Sequence, residues 1–196
     1  MAKITYKGKF ESYDDLPVAN LPENAVQYKE VDGIEEIAKV GSLIGLIPFS
    51  IELILVIIKH GFVLEDLLTV IAIASIIYLV SLVPHELIHG AMFPKGSEVE
   101  FYQAIRKGVL FVTCTDPISK SRFIWMSLMP NIIFCLIPFI IFLILPVSTV
   151  TGVIAVFSMY SALSSGGDLY NVYNTLRQVP KDAYVVMSGI HTYYYC

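Results

Sequence analysis

The sequence between residues 67 and 93 reads LLTVIAIASIIYLVSLVPHELIHGAMF and decides how the chain folds. It is longer than the roughly 20 apolar residues that a helix needs to cross a bilayer. Three ionisable side chains, His85, Glu86 and His89, interrupt its second half. Because ionisable groups at lipid depth cost free energy, their presence in such a segment indicates a functional role.

The composition of the whole chain indicates an integral membrane protein. Hydrophobic residues make up 56% of the sequence and charged residues 15%, with a mean hydropathy of +0.69. A soluble domain would carry roughly a quarter charged residues. Four apolar segments are long enough to span a bilayer, at about 40–59, 66–93, 123–146 and 149–172. The predicted fold is therefore all-α, a bundle of four transmembrane helices.

Polar segments flank this bundle and divide the chain into three parts. Residues 1–36 form a polar headpiece, 37–176 the four-span domain, and 177–196 a tail. The headpiece has no apolar core of the kind found in signal peptides, so we expect no cleaved secretory leader. No basic stripe or nucleic-acid-binding motif is visible, so we expect no nucleic acid as a partner.

The loop at 95–120, between the second and third spans, has the pattern of a β-hairpin. Residues 98–105 and 109–115 are rich in β-prone side chains, and the turn residues Arg106, Lys107 and Gly108 separate them. The tail at 183–195 could supply another strand. An edge of the hairpin could pair with an extended peptide.

The basic residues predict the orientation of the bundle. With four spans, the headpiece, the loop and the tail share one side of the membrane. That side carries all of the thirteen Lys and Arg residues except Lys59. By the positive-inside rule, both termini and the hairpin are cytoplasmic, in a multi-pass protein of the plasma membrane.

The spacing of His85 and His89 predicts a zinc site. Residues four apart lie on one face of a helix, so both imidazoles can bind one metal ion, with Glu86 beside it as a general base. A catalytic zinc has three protein ligands and an open fourth position, so a third ligand must come from elsewhere. Two alternatives are a chance HExxH pattern and two buried histidines that bind no metal.

Asp168 is the best candidate for the third ligand. It is the only acidic residue in the last two spans, and it lies about as deep as His85 on the predicted topology. Small residues let helices approach closely, so Gly166 and Gly167 could bring span four against span two. Asp116 is the second candidate, although a position beside Pro117 more often forms a turn.

Other polar residues in the spans are weaker candidates. Asn131 could orient substrate or hold an oxyanion, or form a helix–helix hydrogen bond, and the sequence favours neither. Pro84 could kink the second span and admit water. We expect no metal ligand among the remaining acidic, histidine and cysteine residues of interest. Glu52 is expected to be paired or to face the interior of the bundle, and His60 and His191 to be solvated. Cys114, Cys135 and Cys196 are expected to be reduced thiols.

Three short motifs carry a family resemblance: PHELIHG at 84–90, LMPN at 128–131 and GGDL at 166–169. Together they resemble the bacterial family described as "Putative zincin peptidase", a domain of unknown function, over residues 40–175. The pattern is also distantly similar to site-2 proteases, which cut substrates within the membrane, although GGDL differs from their usual aspartate signature. The resemblance implies that His85, His89 and Asp168 are zinc ligands and that Glu86 is the base.

The sequence thus predicts a membrane zinc metalloprotease with its site near the cytoplasmic face. Its expected partners are the lipid bilayer and a peptide or membrane-protein substrate, with Zn²⁺ as cofactor. The alternatives are a catalytically inactive zinc-binding membrane adaptor and a small permease. A permease would more often show repeated halves, and none is visible.

Overall fold

The computed structural model describes residues 1–60 and 66–196, and this part of the chain is mostly helical. The helices are α1 (Ile34–His60), α2 (Leu67–Ala91), α3 (Lys120–Asn131), α4 (Ile137–Ile144), α5 (Thr149–Ser164) and α6 (Gly166–Gln178). A π-helical turn, Ile132–Leu136, joins α3 to α4. Short 3₁₀ turns lie at Tyr13–Asp15 and Ile105–Lys107.

Three of these helical segments are long and apolar enough to cross a membrane. They are α1, α2 and the continuous run Lys120–Ile144, and α5 with α6 makes a fourth if this pair, bent by 48°, counts as one span. Only 11% of the most apolar stretch of α2 is buried inside the protein. Apolar side chains that cover the outer face of a helix in this way suit a lipid environment.

Two β-sheets accompany the helices in the described ranges, so the predicted helical bundle with one β-hairpin is confirmed as mostly helical but is not all-α. The strands are β1 (Lys3–Lys9), β2 (Val26–Gln27), β3 (Glu98–Ala104), β4 (Val109–Thr113), β5 (Ile118–Ser119), β6 (Tyr184–Ser188) and β7 (His191–Tyr195). One sheet has the order β1-β3-β4 and the other β2-β7-β6-β5. The headpiece strands were not predicted, because the strands that pair with them are far away in the sequence and their own alternation of apolar and polar residues is short.

The strand pairings tie the polar segments together at one end of the bundle. β3 and β4 pair antiparallel, as the loop sequence predicts, and β1 adds to β3 in parallel. β6 and β7 also pair antiparallel, with β2 and β5 at the edges of that sheet. These strands precede α1, lie between α2 and α3, or follow α6. The sheets therefore cover the helix ends at which α2 finishes and α3 begins.

A shared hydrophobic core fixes the sheets to those helix ends. Val99 of β3 and Val185 of β6 are buried with Phe123 and Met126 of α3. Burial of an apolar side chain of this size stabilises a fold by about 1.5–3 kcal/mol. The position of α3 relative to α2 is thus set partly by residues outside the bundle.

Glycines allow α1 to touch the break between α5 and α6. A Cβ atom on Gly166 would lie 1.6 Å from the carbonyl oxygen of Gly41, and one on Gly45 would lie 2.1 Å from that of Leu163. No larger residue fits at either position without movement of the backbone. We expected the glycine pair at 166–167 to face span two. That expectation was wrong: the contact is with α1, and a Cβ on Gly167 would meet nothing within 4 Å.

Candidate metal centre

The last two turns of α2 present His85, Glu86 and His89 together. One ligand atom from each side chain lies within 4.8 Å of the other two. His89 is buried, and His85 and Glu86 are partly buried. The helical spacing predicted this arrangement for the two histidines, and the structure adds Glu86 at ligand distance.

Asp168 reaches both histidines from the first turn of α6. Its Oδ2 atom is 3.2 Å from Nε2 of His85, and its Oδ1 atom is 3.2 Å from Nε2 of His89. The Asp168 side chain is 13% exposed. A carboxylate on the first turn of a helix is also favoured by the helix dipole. The structure therefore brings together the three residues that we predicted as ligands.

The ring of His89 is oriented by the backbone of α3. Its Nδ1 atom is 2.8 Å from the carbonyl oxygen of Met126, which can only accept a hydrogen bond. Nδ1 therefore carries the hydrogen, and in a neutral ring Nε2 has the lone pair. That lone pair points at a carboxylate oxygen of Asp168. Two acceptors at this distance repel each other unless a cation, either a metal ion or a second ring proton, lies between them.

The donor set and its spacing fit zinc. Two imidazole nitrogens and a carboxylate, with a fourth position left open, form the ligand set of many catalytic zinc sites. Bonds of about 2.0–2.1 Å place two ligands of a tetrahedral zinc about 3.3 Å apart. The nitrogen–oxygen separations of 3.2 Å agree with this spacing. The residues present could therefore hold zinc.

Asn131 holds the carboxylate of Asp168. Its Nδ2 atom is 3.2 Å from Oδ2 of Asp168 and 3.2 Å from the carbonyl oxygen of Ser127. Both N–H groups of the amide thus have an acceptor. This geometry favours a role in orienting Asp168, and the oxyanion role stays a prediction.

A cavity of about 550 Å³ opens beside the metal centre. Its walls include β4, the start of α1 and the β6–β7 turn. β4 is an edge strand of its sheet, and the backbone of Val112 approaches the carboxylate of Glu86. An extended chain in this cavity could therefore lie against both the strand edge and Glu86.

The other sequence candidates lie elsewhere. Asp116 follows β4 and is not among the described residues that line the cavity. Glu52 is paired with Ser158 and Cys135 inside the bundle, as expected for an interior carboxyl group. His60 is half-buried, with its ring stacked on that of Phe142 and the ring centroids 5.4 Å apart, so it is not fully solvated.

Two features that position the site residues were not predicted from the sequence. The carbonyl of Met126 is a backbone atom, which no side-chain pattern reveals. The pair Gly41 and Gly45 has the small-xxx-small spacing of close helix contacts, and this signal was available in the sequence.

Fold and site together define a protein with several bilayer-length helices and a His–Glu–His group backed by an aspartate. The model of a family described as "Putative zincin peptidase" matches residues 78–184, more than half of the chain, and the chain belongs to this family. The matched region contains His85, Glu86, His89, Asn131 and Asp168. No curated protein and no solved structure matches the chain.

Proposed function

We propose that this protein is an integral membrane zinc metalloprotease that cleaves membrane or membrane-proximal substrates near the cytoplasmic face. The observation that carries the proposal is the arrangement at Nε2 of His89. A lone pair there faces the carboxylate of Asp168, with His85 and Glu86 adjacent, which suits a bound cation. Membership of a zincin family supports zinc as that cation and peptide hydrolysis as the reaction.

The residues divide into ligands and a base. His85, His89 and Asp168 would hold zinc, which when bound supplies a Lewis acid that polarises a carbonyl and makes water more acidic. Glu86 accepts the proton of the attacking water and returns it to the leaving amine. Asn131 and the Met126 carbonyl keep Asp168 and His89 in position.

The substrate is an extended peptide. A peptide bond in a helix is covered by its neighbours and already hydrogen-bonded, so it must unwind before attack. In the described part of the chain β4 is the outer strand of its sheet, and an extended peptide that paired with its edge would pass Glu86. The charge distribution supports a cytoplasmic location for this end of the bundle, because only Lys59 of the thirteen basic residues belongs to the opposite end.

The test compares Glu86→Gln with the wild type in zinc content and cleavage of co-expressed membrane substrates. Glutamine keeps the size of the side chain but cannot accept the proton, so we expect one zinc per chain and loss of cleavage. The variant should also retain bound, uncut substrate. Glu52→Gln is the matched control, since Glu52 is a second glutamate within a candidate span and lies outside the centre; it should cleave normally.

Three outcomes would refute the proposal. Equal turnover by Glu86→Gln and wild type would exclude Glu86 as the base. Wild-type protein that binds zinc but cleaves nothing would instead favour the inactive adaptor, and wild-type protein without zinc would remove the metal centre altogether.

A further inference from the structure

We infer that Pro130 is a positioning residue of the metal centre, because it frees the Met126 carbonyl to accept the Nδ1–H of His89. The inference rests on the proposed function, in which His89 is a zinc ligand. Pro130 itself has no polar side-chain group that could bind metal or substrate.

The backbone of α3 explains how a proline can act in this way. In an α-helix each carbonyl accepts a hydrogen bond from the N–H group four residues later. For Met126 that residue is Pro130, which has no N–H. The proline ring also crowds the carbonyl four residues earlier and tilts it away from the helix axis. The carbonyl of Met126 is therefore both unused by its own helix and turned outward.

Burial makes the missing bond consequential. Met126 is 5% exposed, His89 is 7% exposed, and Pro130 is among the most completely buried residues. A buried carbonyl without a partner costs free energy, since water cannot replace the lost donor. The 2.8 Å contact with Nδ1 of His89 supplies that partner. One proline thus creates an acceptor that the imidazole of α2 satisfies.

The hydrogen bond has a direct consequence for metal binding. A histidine binds metal through a neutral nitrogen, and the partner of its other nitrogen decides which one is available. With Nδ1–H bound to Met126, the lone pair is at Nε2, the atom that faces Asp168. Without the carbonyl, the ring could rotate or carry its hydrogen on Nε2, and either change removes a ligand.

Two other prolines inside helices lack such a partner. Pro48 of α1 and Pro84 of α2 free the carbonyls of Ile44 and Val80 in the same way. Among residues 1–60 and 66–196, no side-chain donor is found on either carbonyl within hydrogen-bonding distance. The contact at Met126 is therefore not a general property of prolines in this bundle.

The experiment restores the missing N–H with Pro130→Ala and Pro130→Val, which bracket the volume of the proline ring. The new N–H would donate to the Met126 carbonyl and compete with His89. We expect zinc affinity, measured by competition with a chelator, to fall about 10–100-fold, the range for residues that orient metal ligands. The melting temperature of the metal-free protein should stay near that of the wild type. Pro48→Ala, the matched control, should keep full zinc affinity.

A second measurement uses the wild type alone and does not depend on either variant folding. ¹⁵N-histidine labelling of the zinc-loaded protein should show His89 with hydrogen on Nδ1 and metal on Nε2. Metal on Nδ1 would overturn the inference, as would unchanged zinc affinity in both Pro130 variants. An equal loss of affinity in Pro48→Ala would do the same. If the wild type itself bound no zinc, the proposed function would fail, which separates the two failures.

Discussion

Two polar clusters lie inside the same helical bundle. They differ in whether their hydrogen-bond donors are numerous enough to satisfy their acceptors. The candidate metal centre contains His85, Glu86, His89 and Asp168. The Glu52 cluster contains Glu52 of α1, Cys135 of the π-helical turn and Ser158 of α5. Both clusters bury a carboxyl group, yet only the first brings acceptors face to face.

The Glu52 cluster can satisfy itself. Cys135 Sγ is 3.2 Å from one Glu52 oxygen, and Ser158 Oγ is 3.0 Å from the other. Ser158 Oγ is also 2.8 Å from the carbonyl oxygen of Cys135. With Glu52 as a carboxylic acid, its hydroxyl can donate to Ser158, Ser158 to the carbonyl, and the Cys135 thiol to Glu52. Three donors then serve three acceptors in a closed ring.

The metal centre cannot do the same. The hydrogen on Nδ1 of His89 is committed to Met126, and the Asn131 amide reaches only one oxygen of Asp168. A positive charge must complete the set. The two clusters thus bury a carboxyl group alike and differ in whether the donors around it are sufficient, and that difference supports a cation at the first cluster.

The largest expected contrast in zinc affinity comes from replacing the carboxyl group of each cluster with an amide. Asp168→Asn removes an anionic ligand, so we expect zinc affinity to fall more than about 100-fold, beyond the effect of orienting residues. Glu52→Gln keeps both a donor and an acceptor in the ring, so zinc affinity should not change. Chelator competition measures both. Similar losses in the two variants would show that the clusters are not independent.

Removal of zinc should destabilise only those forms of the protein whose metal ligands are intact. With free zinc at about 100 times the dissociation constant, binding stabilises the fold by about 2.7 kcal/mol. Thermal melting with and without chelator should show this difference in wild type and in Glu52→Gln. Asp168→Asn should melt at the same temperature in both conditions, and a chelator-dependent shift in that variant would count against Asp168 as a ligand.

Asn131→Ala should weaken the metal centre without removing a ligand. The Asp168 carboxylate would lose a donor that fixes its orientation, so zinc affinity should fall about 10–100-fold. Zinc content at saturating metal should remain one per chain. If Asn131→Ala kept the wild-type zinc affinity and lost only cleavage rate, Asn131 would instead have the oxyanion role.

Ser158→Ala should have the complementary effect. Opening the Glu52 ring leaves a buried acceptor without a donor, at a cost of about 1–3 kcal/mol in the free energy of unfolding. Zinc affinity should stay at the wild-type value. Ser161→Ala is the control and should cost less, because among the described residues the Ser161 hydroxyl donates to the Phe157 carbonyl of its own helix.

The last expected effect is confined to the pH profile and concerns Glu30, an acid outside the bundle. Burial raises its pKa to about 7, partly offset by the N–H of Thr192 at 2.7 Å. Because the folded protein holds this proton more tightly than the unfolded chain, the stabilisation is full below about pH 4.5 and lost as the pH rises through about 7. Glu30→Gln should flatten that fall in melting temperature, and an unchanged pH profile would contradict the assignment.

Hydropathy and helical spacing were sufficient to predict the apolar segments and the histidine pair, since both are local patterns. Asp168 followed from a depth argument on the same segments. The β3–β4 hairpin followed from the same kind of pattern, but the complete sheets did not, because β1 pairs with β3 across the whole of α1 and α2. Pairing over such distances depends on the fold itself, which a local pattern does not encode.

The support around the ligands was also beyond the sequence reading. Pro130 was visible as a residue, but its effect on the Met126 carbonyl needs the position of α2. The close contact of Gly41 with Gly166 could have been found from the spacing of Gly41 and Gly45. The helix that packs against this glycine pair could not be predicted, because a small-residue motif does not specify the surface against which it packs.

The long-range strand pairing has a consequence for the order in which the molecule can be built. The N–H of Thr192 bonds to Glu30, 162 positions earlier, and β2 has no partner until β7 has been synthesised. His85 likewise waits for Asp168, which follows two further helical segments. On the proposed function, translation therefore releases α2 into the membrane before its ligand set is complete. On the proposed function, the protein is inert throughout its own synthesis and gains its activity only as the last helix takes its place.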